Sequence, residues 1–163
     1  MFNKKESFFR YVGELDSEVK AEIEQTCKEA IEIFKISNPE NGQETAKEIY
    51  NIVENILSTG KFPSEYECID DVAVALGVLF GQALCTGYGW SWQEFGDSKE
   101  DAAFGVVSPQ KNFCNAPMNF LFRILRGENI GLDGQNDNTV LLLYNMLKDI
   151  DAKPESTKYF PLS

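Results

Sequence analysis

The chain has 163 residues, of which 43% are hydrophobic and 25% charged, and its 26 acidic and 15 basic side chains give a net charge of −11. This composition is typical of one folded domain that buries a core without disulfides or a structural metal. The negative charge disfavours nucleic acids and anionic membrane surfaces as partners, and it favours solubility or a basic protein partner.

Two amphipathic helices are predicted in the first third of the chain, joined as a helical hairpin over residues 15–60. Apolar residues recur at steps of three and four from Ser17 to Ile36 and again from Gly42 to Thr59. Asn38 and Pro39 separate the two patterns, because the residue before a proline avoids helical backbone angles. A turn this short favours antiparallel packing of the two helices.

A long apolar helix near residues 65–86 is predicted to lie at the centre of the fold. Ser64 and Glu67 match a capping box at its start, and no charged residue occurs from Val72 to Gln93. Only about 14 of these residues are strongly apolar, a length that favours a core helix over a membrane span. Small residues recur every four positions and predict a close approach by another backbone: Ala73, Gly77, Gly81 and Cys85.

Two strands are predicted to follow the central helix as an antiparallel hairpin near residues 90–108. The first runs from Trp90 to Phe95 and the second from Ala102 to Ser108, with a polar turn between them. A lone hairpin is marginally stable in water. We therefore expect the hairpin to pack on helices or to gain a short third strand near residues 111–114.

Two shorter helices are predicted in the last third of the chain. One runs from Met118 to Arg126 with Pro117 at its first position, where the missing N–H group of proline is tolerated. The other runs from about Thr139 to Asp149 after a polar loop. With the hairpin and the central helix they complete a unit over residues 63–150.

The predicted architecture is one α+β domain over residues 1–163. It comprises about five helices and a small antiparallel sheet that packs on the central helix. The end segments, residues 1–14 and 151–163, carry aromatic side chains without a clean period. We expect the first to form a short helix or an arm on the domain, and the second to dock on the domain as well.

Motifs for common chemistries are absent from the sequence or fail in detail. The chain has no histidine, which excludes catalytic triads and metal sites that use this residue. Its glycines do not match phosphate-binding motifs, so no cofactor is predicted. Residues 133–138 resemble a calcium loop, but Gln135, Asn138 and Tyr144 occupy positions that need other residue types. Helix capping explains this polar run better.

The cysteines and the neighbouring acidic pairs indicate no specific site. Four cysteines without metal-ligand spacing, two of them on apolar helix faces, predict free thiols: Cys27, Cys68, Cys85 and Cys114. The first residues contain no sustained apolar run, so we expect a cytoplasmic protein. Acidic pairs such as Asp70 and Asp71 are explained by helix-start electrostatics, although glycosidases also use paired carboxylates.

Five residues are candidates for an interaction surface. Trp90, Trp92 and Glu94 alternate along the predicted strand and point to one face. Tryptophans on such a face stack on a sugar or anchor a partner, or they cover the neighbouring helix. Arg123 and Arg126 lie in the last turn of the helix after Pro117 and are further candidates.

The residues from the central helix onward resemble a bacterial domain family of unknown function. The resemblance is carried by VAVALGVLFGQALCTGYGWSWQEF, by FGVVSPQ and by PMNFLFRILRGE, and it covers roughly residues 63–150. It implies an apolar glycine-bearing helix, a tryptophan strand, a second strand that ends near proline, and a short helix that ends in Arg-x-x-x-Gly, here Arg123 to Gly127. The family has no established activity, so it implies no catalytic residue. Small acidic proteins of this kind also look similar to immunity proteins of bacterial toxin systems.

The sequence therefore predicts a non-enzymatic protein-binding domain. An immunity or accessory protein that masks a basic partner fits the charge of −11 and the missing catalytic motifs. One alternative is a small-ligand or carbohydrate binder, or an enzyme, that uses carboxylates and the face of Trp90 and Trp92. Another is a structural oligomerisation module, suggested by the row of small residues.

Overall fold

The computed structural model describes residues 11–111 and 113–148 together with the backbone of residues 160–162. Within these residues the elements are β1 Tyr11–Gly13, α1 Ser17–Phe34, α2 Gly42–Thr59, α3 Ile69–Tyr88, β2 Ser91–Gly96, β3 Ala103–Val107, β4 Phe113–Asn115, α4 Pro117–Leu125, α5 Val140–Met146 and β5 Phe160–Leu162. The strands form one sheet in the order β1-β2-β3-β4-β5. The predicted α+β class is confirmed.

The central element is α3, around which the other helices pack. Eleven of its 20 residues are buried, and its most extensive contacts are with α4, α2 and α1. By length and composition alone α3 is apolar enough to cross a membrane, but 61% of its most apolar window is buried inside the protein. Burial on nearly all sides is the pattern of a core helix, and the predicted central position is confirmed.

The start of α3 differs from the prediction. The helix begins at Ile69, and no side chain caps it. Ser64 and Glu67 lie in the preceding turn, where both are exposed. The ring of Tyr66 stacks on Phe34 of α1 with 5.5 Å between the ring centroids, and this contact holds the segment in a turn against α1. The capping-box pattern is therefore not used, because a long-range aromatic contact competes with the local signal.

The row of small residues on α3 brings other parts of the chain close, as predicted. A Cβ atom at Gly77 would lie 2.6 Å from the Cα atom and 2.8 Å from the nitrogen of Met118. A Cβ atom at Gly81 would lie 2.5 Å from the ring of Trp92. The glycines thus let the start of α4 and an indole ring pack directly on the α3 backbone. The chain itself thus covers this row at Gly77 and Gly81.

α1 and α2 follow one another through the predicted turn, but each packs mainly against α3 rather than against the other. α1 ends at Lys35, which adopts a left-handed conformation with φ 55°. α2 begins at Asn41, whose side chain accepts a hydrogen bond from the backbone nitrogen of Glu44 at 3.1 Å. Because the two helices do not cover each other, a cleft remains between α1, the turn and α3.

The predicted hairpin is confirmed, and the third strand exists as β4. β2 and β3 pair antiparallel, with Trp92 opposite Val106 and Glu94 opposite Phe104. β4 then pairs antiparallel with β3. The helices α4 and α5 are close to their predicted positions, although α5 is shorter and ends at Met146.

Both edges of the sheet come from the ends of the chain, which the sequence did not predict. β1 pairs antiparallel with β2, so of the two expectations for residues 1–14, Tyr11–Gly13 form an arm on the domain rather than a short helix; residues 1–10 lie outside the described part. β5 pairs parallel with β4, which makes the sheet mixed rather than purely antiparallel. Strands of three residues are too short to show an alternating pattern.

Candidate functional site

The exposed face of α1 carries a stripe of acidic side chains. Glu18, Glu22, Gln25, Glu29 and Glu32 recur at steps of four and three, so they lie on one side of the helix. All five are exposed, and the stripe extends for about 21 Å at the rise of an α-helix. We call the four glutamates of this stripe the acidic crest.

The acidic crest forms no ion pair within the described part of the chain, although Lys28 lies four residues before Glu32 on the same helix. Gln25 donates a hydrogen bond to the Oε1 atom of Glu29 at 2.9 Å, but no described lysine or arginine lies within salt-bridge distance of the crest. Among the described residues the ion pair is that of Asp70 with Arg126. Like charges three and four residues apart repel each other and destabilise a helix slightly. The crest is therefore a surface on which a cation would be stabilised.

Negative charge is concentrated around the crest. Residues 11–71, which contain α1 and α2, hold 15 of the 26 acidic residues and 5 of the 15 basic ones, a net charge of −10. Nearly the whole net charge of the protein thus lies in residues 11–71. A field concentrated on one side steers a basic partner towards that side.

A cleft of about 420 Å³ opens beside the crest, between α1, the α1–α2 turn and α3. Its floor includes the apolar side chains of Cys27, Ile31, Leu79 and Ala83, and its rim carries Glu24, Lys28 and Glu40. We call it the α1–α3 cleft. Its volume lies in the range of about 300–1,000 Å³ that is usual for ligand sites. An apolar floor with charged residues at the rim suits an amphipathic group.

The thiol in this cleft is a weak nucleophile. Burial raises the pKa of Cys27, which lines the cleft. Burial, followed by the charge of Cys27, raises the pKa of Cys85 on α3 to about 12. Burial likewise raises the pKa of Cys114 to about 12. Because the thiolate is the reactive form of cysteine, these three groups act as small apolar side chains at neutral pH.

We expect Cys68 to react rapidly with Ellman's reagent at pH 8, and the half-buried Cys85 and buried Cys114 to react far more slowly until the protein is unfolded. Cys68 is the exposed thiol. Cys85 and Cys114 should react at least about a thousandfold more slowly, because each unit of raised pKa lowers the thiolate fraction tenfold. Absorbance against time in native buffer and in guanidinium chloride measures this. The fast phase should vanish in Cys68→Ser, and rapid reaction of Cys114 in the native protein would contradict the structure.

The two tryptophans cover α3 rather than forming an open face. Trp90 is 3% exposed and belongs to the main core, and it precedes β2 instead of lying in it. Trp92 is half-buried, and its Nε1 atom donates to the Oε1 atom of Gln82 at 3.4 Å. Trp90 is therefore not accessible to a partner, which corrects its prediction as an interaction residue. Neither tryptophan lines the α1–α3 cleft.

Glu94 lies on β2 and binds the edge strand. The hydroxyl of Tyr11 donates to the Oε1 atom of Glu94 at 2.6 Å. This hydrogen bond raises the pKa of the Tyr11 phenol. The carboxylate thus holds β1 against β2 instead of standing free on the surface.

The two candidate arginines contact side chains of their own chain. Arg126 donates from Nε and Nη2 to both carboxylate oxygens of Asp70, at 3.1 and 2.8 Å. Its guanidinium lies 5.0 Å from the centre of the Phe122 ring, and Asp70 raises the pKa of Arg126. Arg123 donates to the Oδ1 atom of Asn129 at 3.5 Å. These contacts tie the end of α4 to the start of α3 and to the next loop.

The polar loop that resembles a calcium site is held by its own hydrogen bonds. Asp133 accepts from the backbone nitrogen of Gln135 at 3.0 Å. Asn136 donates to the backbone oxygen of Ile124, and Asn138 donates to that of Tyr50, both at 3.0 Å. The amides therefore bind α4 and α2 and position the start of α5. Within the described residues no group of three or more Cys, Asp or Glu side chains is arranged to hold a metal ion.

Comparisons of the chain with models of protein families, with curated proteins and with solved structures found no match. The resemblance to a bacterial domain family of unknown function therefore stays a prediction. The function has to be inferred from the crest and the cleft themselves.

The sequence contained a signal for one of these two features. The steps of four and three between the glutamates of α1 are visible in the sequence, although the prediction of this helix rested on its apolar residues alone. The cleft has no local signal, because it depends on how α1, the turn and α3 pack together. Its rim residue Glu40 lies 16 positions from Glu24 in the sequence.

Proposed function

We propose that the protein is a non-enzymatic binding domain that holds a basic partner protein on the acidic crest, as an immunity or accessory protein would. The observation that carries the proposal is the crest itself: four exposed glutamates in one line, none of which forms an ion pair with a lysine or arginine of the described chain. A partner with lysines or arginines at matching spacing supplies the missing counter-charges. Complementary charge of this kind accelerates association and selects the partner.

A binding role fits the site better than catalysis does. The carboxylates of the crest are exposed along one side of α1, and among the described clefts one of about 200 Å³ is lined by Glu22 and by no second crest glutamate, so no pair of them flanks a substrate there. The cleft contains Cys27, whose raised pKa keeps its thiol protonated. The site therefore offers charge and shape for recognition, and it lacks an activated nucleophile.

Neutralising the crest should weaken binding of the partner by at least about tenfold, since even exposed ion pairs contribute a few tenths of a kcal/mol each. The test variant is E18Q/E22Q/E29Q/E32Q, and the matched control is D97N/E100Q/D101N/E128Q, which removes four exposed acidic charges outside residues 11–71. Immobilised wild type and both variants are exposed to extract of the native host at low and high salt, and bound proteins are identified by mass spectrometry.

The expected result is a basic protein that is retained by the wild type and by the control at low salt. The crest variant should lose it, and high salt should release it from all forms, because screening weakens exposed charge pairs. Titration calorimetry on the identified partner then gives the ratio of dissociation constants. Equal losses in the crest variant and the control, or retention of no basic protein by the wild type, would refute the proposal.

A further inference from the structure

We propose that the segment recognised by this surface is amphipathic as well as basic, and that one of its apolar side chains enters the α1–α3 cleft. The inference rests on the proposed function and adds the chemistry of the partner. The crest by itself would accept any cationic surface. The cleft adds a requirement for an apolar residue next to the cationic ones.

The crest and the cleft lie on one helix, so one partner segment can contact both. Glu24, Cys27, Lys28 and Ile31 recur at steps of three and four and form the cleft-facing stripe of α1. This stripe extends for about 10 Å at the rise of an α-helix, beside the middle of the longer crest. A segment that lies across this side of α1 therefore meets Glu32 at the edge of the crest, then Lys28, and then the mouth of the cleft.

The floor of the cleft suits an apolar side chain. Leu79 and Ala83 of α3 and Ile31 of α1 line it, and the two α3 residues are 1% exposed. The floor is thus a rigid part of the main core rather than a mobile surface. An aliphatic or aromatic side chain of the partner that covers this floor removes its apolar surface from water. This burial favours binding independently of any charge on the partner.

The rim determines which charge is accepted beside that side chain. Glu24 lies on the α1 wall and Glu40 on the wall formed by the turn, and no described residue forms a hydrogen bond or ion pair with either carboxylate. Lys28, on the same rim, is the one cation that lines the cleft. Two unpaired carboxylates favour a cationic neighbour of the inserted side chain, whereas Lys28 opposes it. The rim therefore selects a basic segment, and loss of the Lys28 charge should strengthen binding.

The probes are two fluorescein-labelled synthetic peptides of equal charge. The first is an 18-residue helix with lysines on one face and leucines on the other, and the second has serine in place of every leucine. Fluorescence anisotropy with the full chain at low salt measures both dissociation constants. The leucine peptide should bind the wild type at least about tenfold more tightly than the serine peptide, because burial of an apolar side chain favours the former.

Variants of the cleft separate its contribution from that of the crest. Thr86 is exposed and lines the cleft, so Thr86→Trp should fill it and abolish the preference for the leucine peptide. Lys28→Gln should tighten binding of both peptides by about twofold or more, as expected for removal of one like charge. Asn145→Trp, at an exposed position on α5, is the matched control and should leave both constants unchanged.

Two further readouts make the test decisive. If Thr86→Trp does not fold, the amide resonances of Gln82, Ala83 and Thr86 in the wild type serve instead; they should shift with the leucine peptide and not with the serine peptide. Equal affinity for the two peptides, with loss of both in the crest variant, would overturn the inference and leave the proposed function intact. Binding of neither peptide would also overturn the inference, and capture of the native partner would then decide the proposed function separately.

Discussion

Replacement of Gly77 by alanine is expected to lower the free energy of unfolding by about 2 kcal/mol or more, although alanine is the better helix former by about 1 kcal/mol. The new Cβ atom would lie 2.6 Å from the Cα atom of Met118 and 2.8 Å from its nitrogen. Both are backbone atoms at the start of α4, so no rotation of a side chain relieves the contact. α3 and α4 would have to separate, which disturbs the most extensive helix contact in the fold.

Thermal or chemical denaturation measures this effect, and a loss of about 2 kcal/mol corresponds to about 4–8 °C in a chain of this size. Thr86→Ala, at an exposed position on the same helix, is the control and should change stability by less than about 0.5 kcal/mol. Met118→Ala should not rescue the Gly77 variant, because the clash is with backbone. A Gly77→Ala protein as stable as the wild type would show that α4 does not approach α3 this closely.

The helices could be predicted because their signals are local and repeat over many residues. The apolar pattern of α1 and α2 extends over 18 residues in each, and the row of small residues on α3 indicated the close contact at Gly77. The predicted start of α3, just after Ser64, was wrong because the segment before the helix is held by the stacking of Tyr66 on Phe34. These two residues are 32 positions apart, so a local pattern cannot reveal their contact. A capping box is a preference of the local backbone, and a tertiary contact outweighs it here.

The sheet and the site were harder to predict for the same reason. The two edge strands of the sheet, β1 and β5, contain three residues each. Three residues are too few to show an alternating apolar pattern, so only the pairing with β2 and β4 defines these strands. For Trp90 the sequence left two roles open, because alternation along a strand does not show which face is buried. The acidic crest depends on one helix and was visible as a spacing, whereas the cleft depends on three segments of the chain and had no signal.

The cleft and the crest have the rigidity that recognition needs because α3 is fixed on several sides. The floor residues Leu79 and Ala83 lie on the same helix as Gly77 and Gly81, which contact α4 and Trp92. A preformed surface does not have to be ordered when a partner binds, so less conformational entropy is lost. The glycines therefore matter to the site although none of them would touch a partner.

Replacement of Gly87 by alanine is expected to destabilise the protein by about 1–3 kcal/mol, and a second change, Tyr144→Phe, should restore most of the loss. Gly87 lies in the last turn of α3, where an added Cβ atom would collide with the hydroxyl of Tyr144.

The difference from Gly77 is that the neighbour at Gly87 is the end of a side chain. With the hydroxyl removed, the nearest remaining atom is Cζ of the same ring, 3.2 Å from the added Cβ, a tight contact that a small ring shift relieves. The hydroxyl donates to the backbone oxygen of Ala83 at 3.5 Å, a long and therefore weak bond. Tyr144→Phe alone should thus cost about 1 kcal/mol or less.

A double-mutant cycle over the four proteins, measured by chemical denaturation, should give a coupling of at least about 1 kcal/mol between the two positions. Additive effects would mean that the hydroxyl does not lie against Gly87. The control pair is Gly87→Ala with Tyr88→Phe: Tyr88 stacks on Tyr144 with 4.6 Å between the centroids, and its own hydroxyl donates to the backbone oxygen of Tyr144. Removal of the Tyr88 hydroxyl leaves the collision between the Cβ atom added at Gly87 and the Tyr144 hydroxyl in place. The Tyr88→Phe change should therefore not restore the stability lost in Gly87→Ala, because α5 stays displaced from α3.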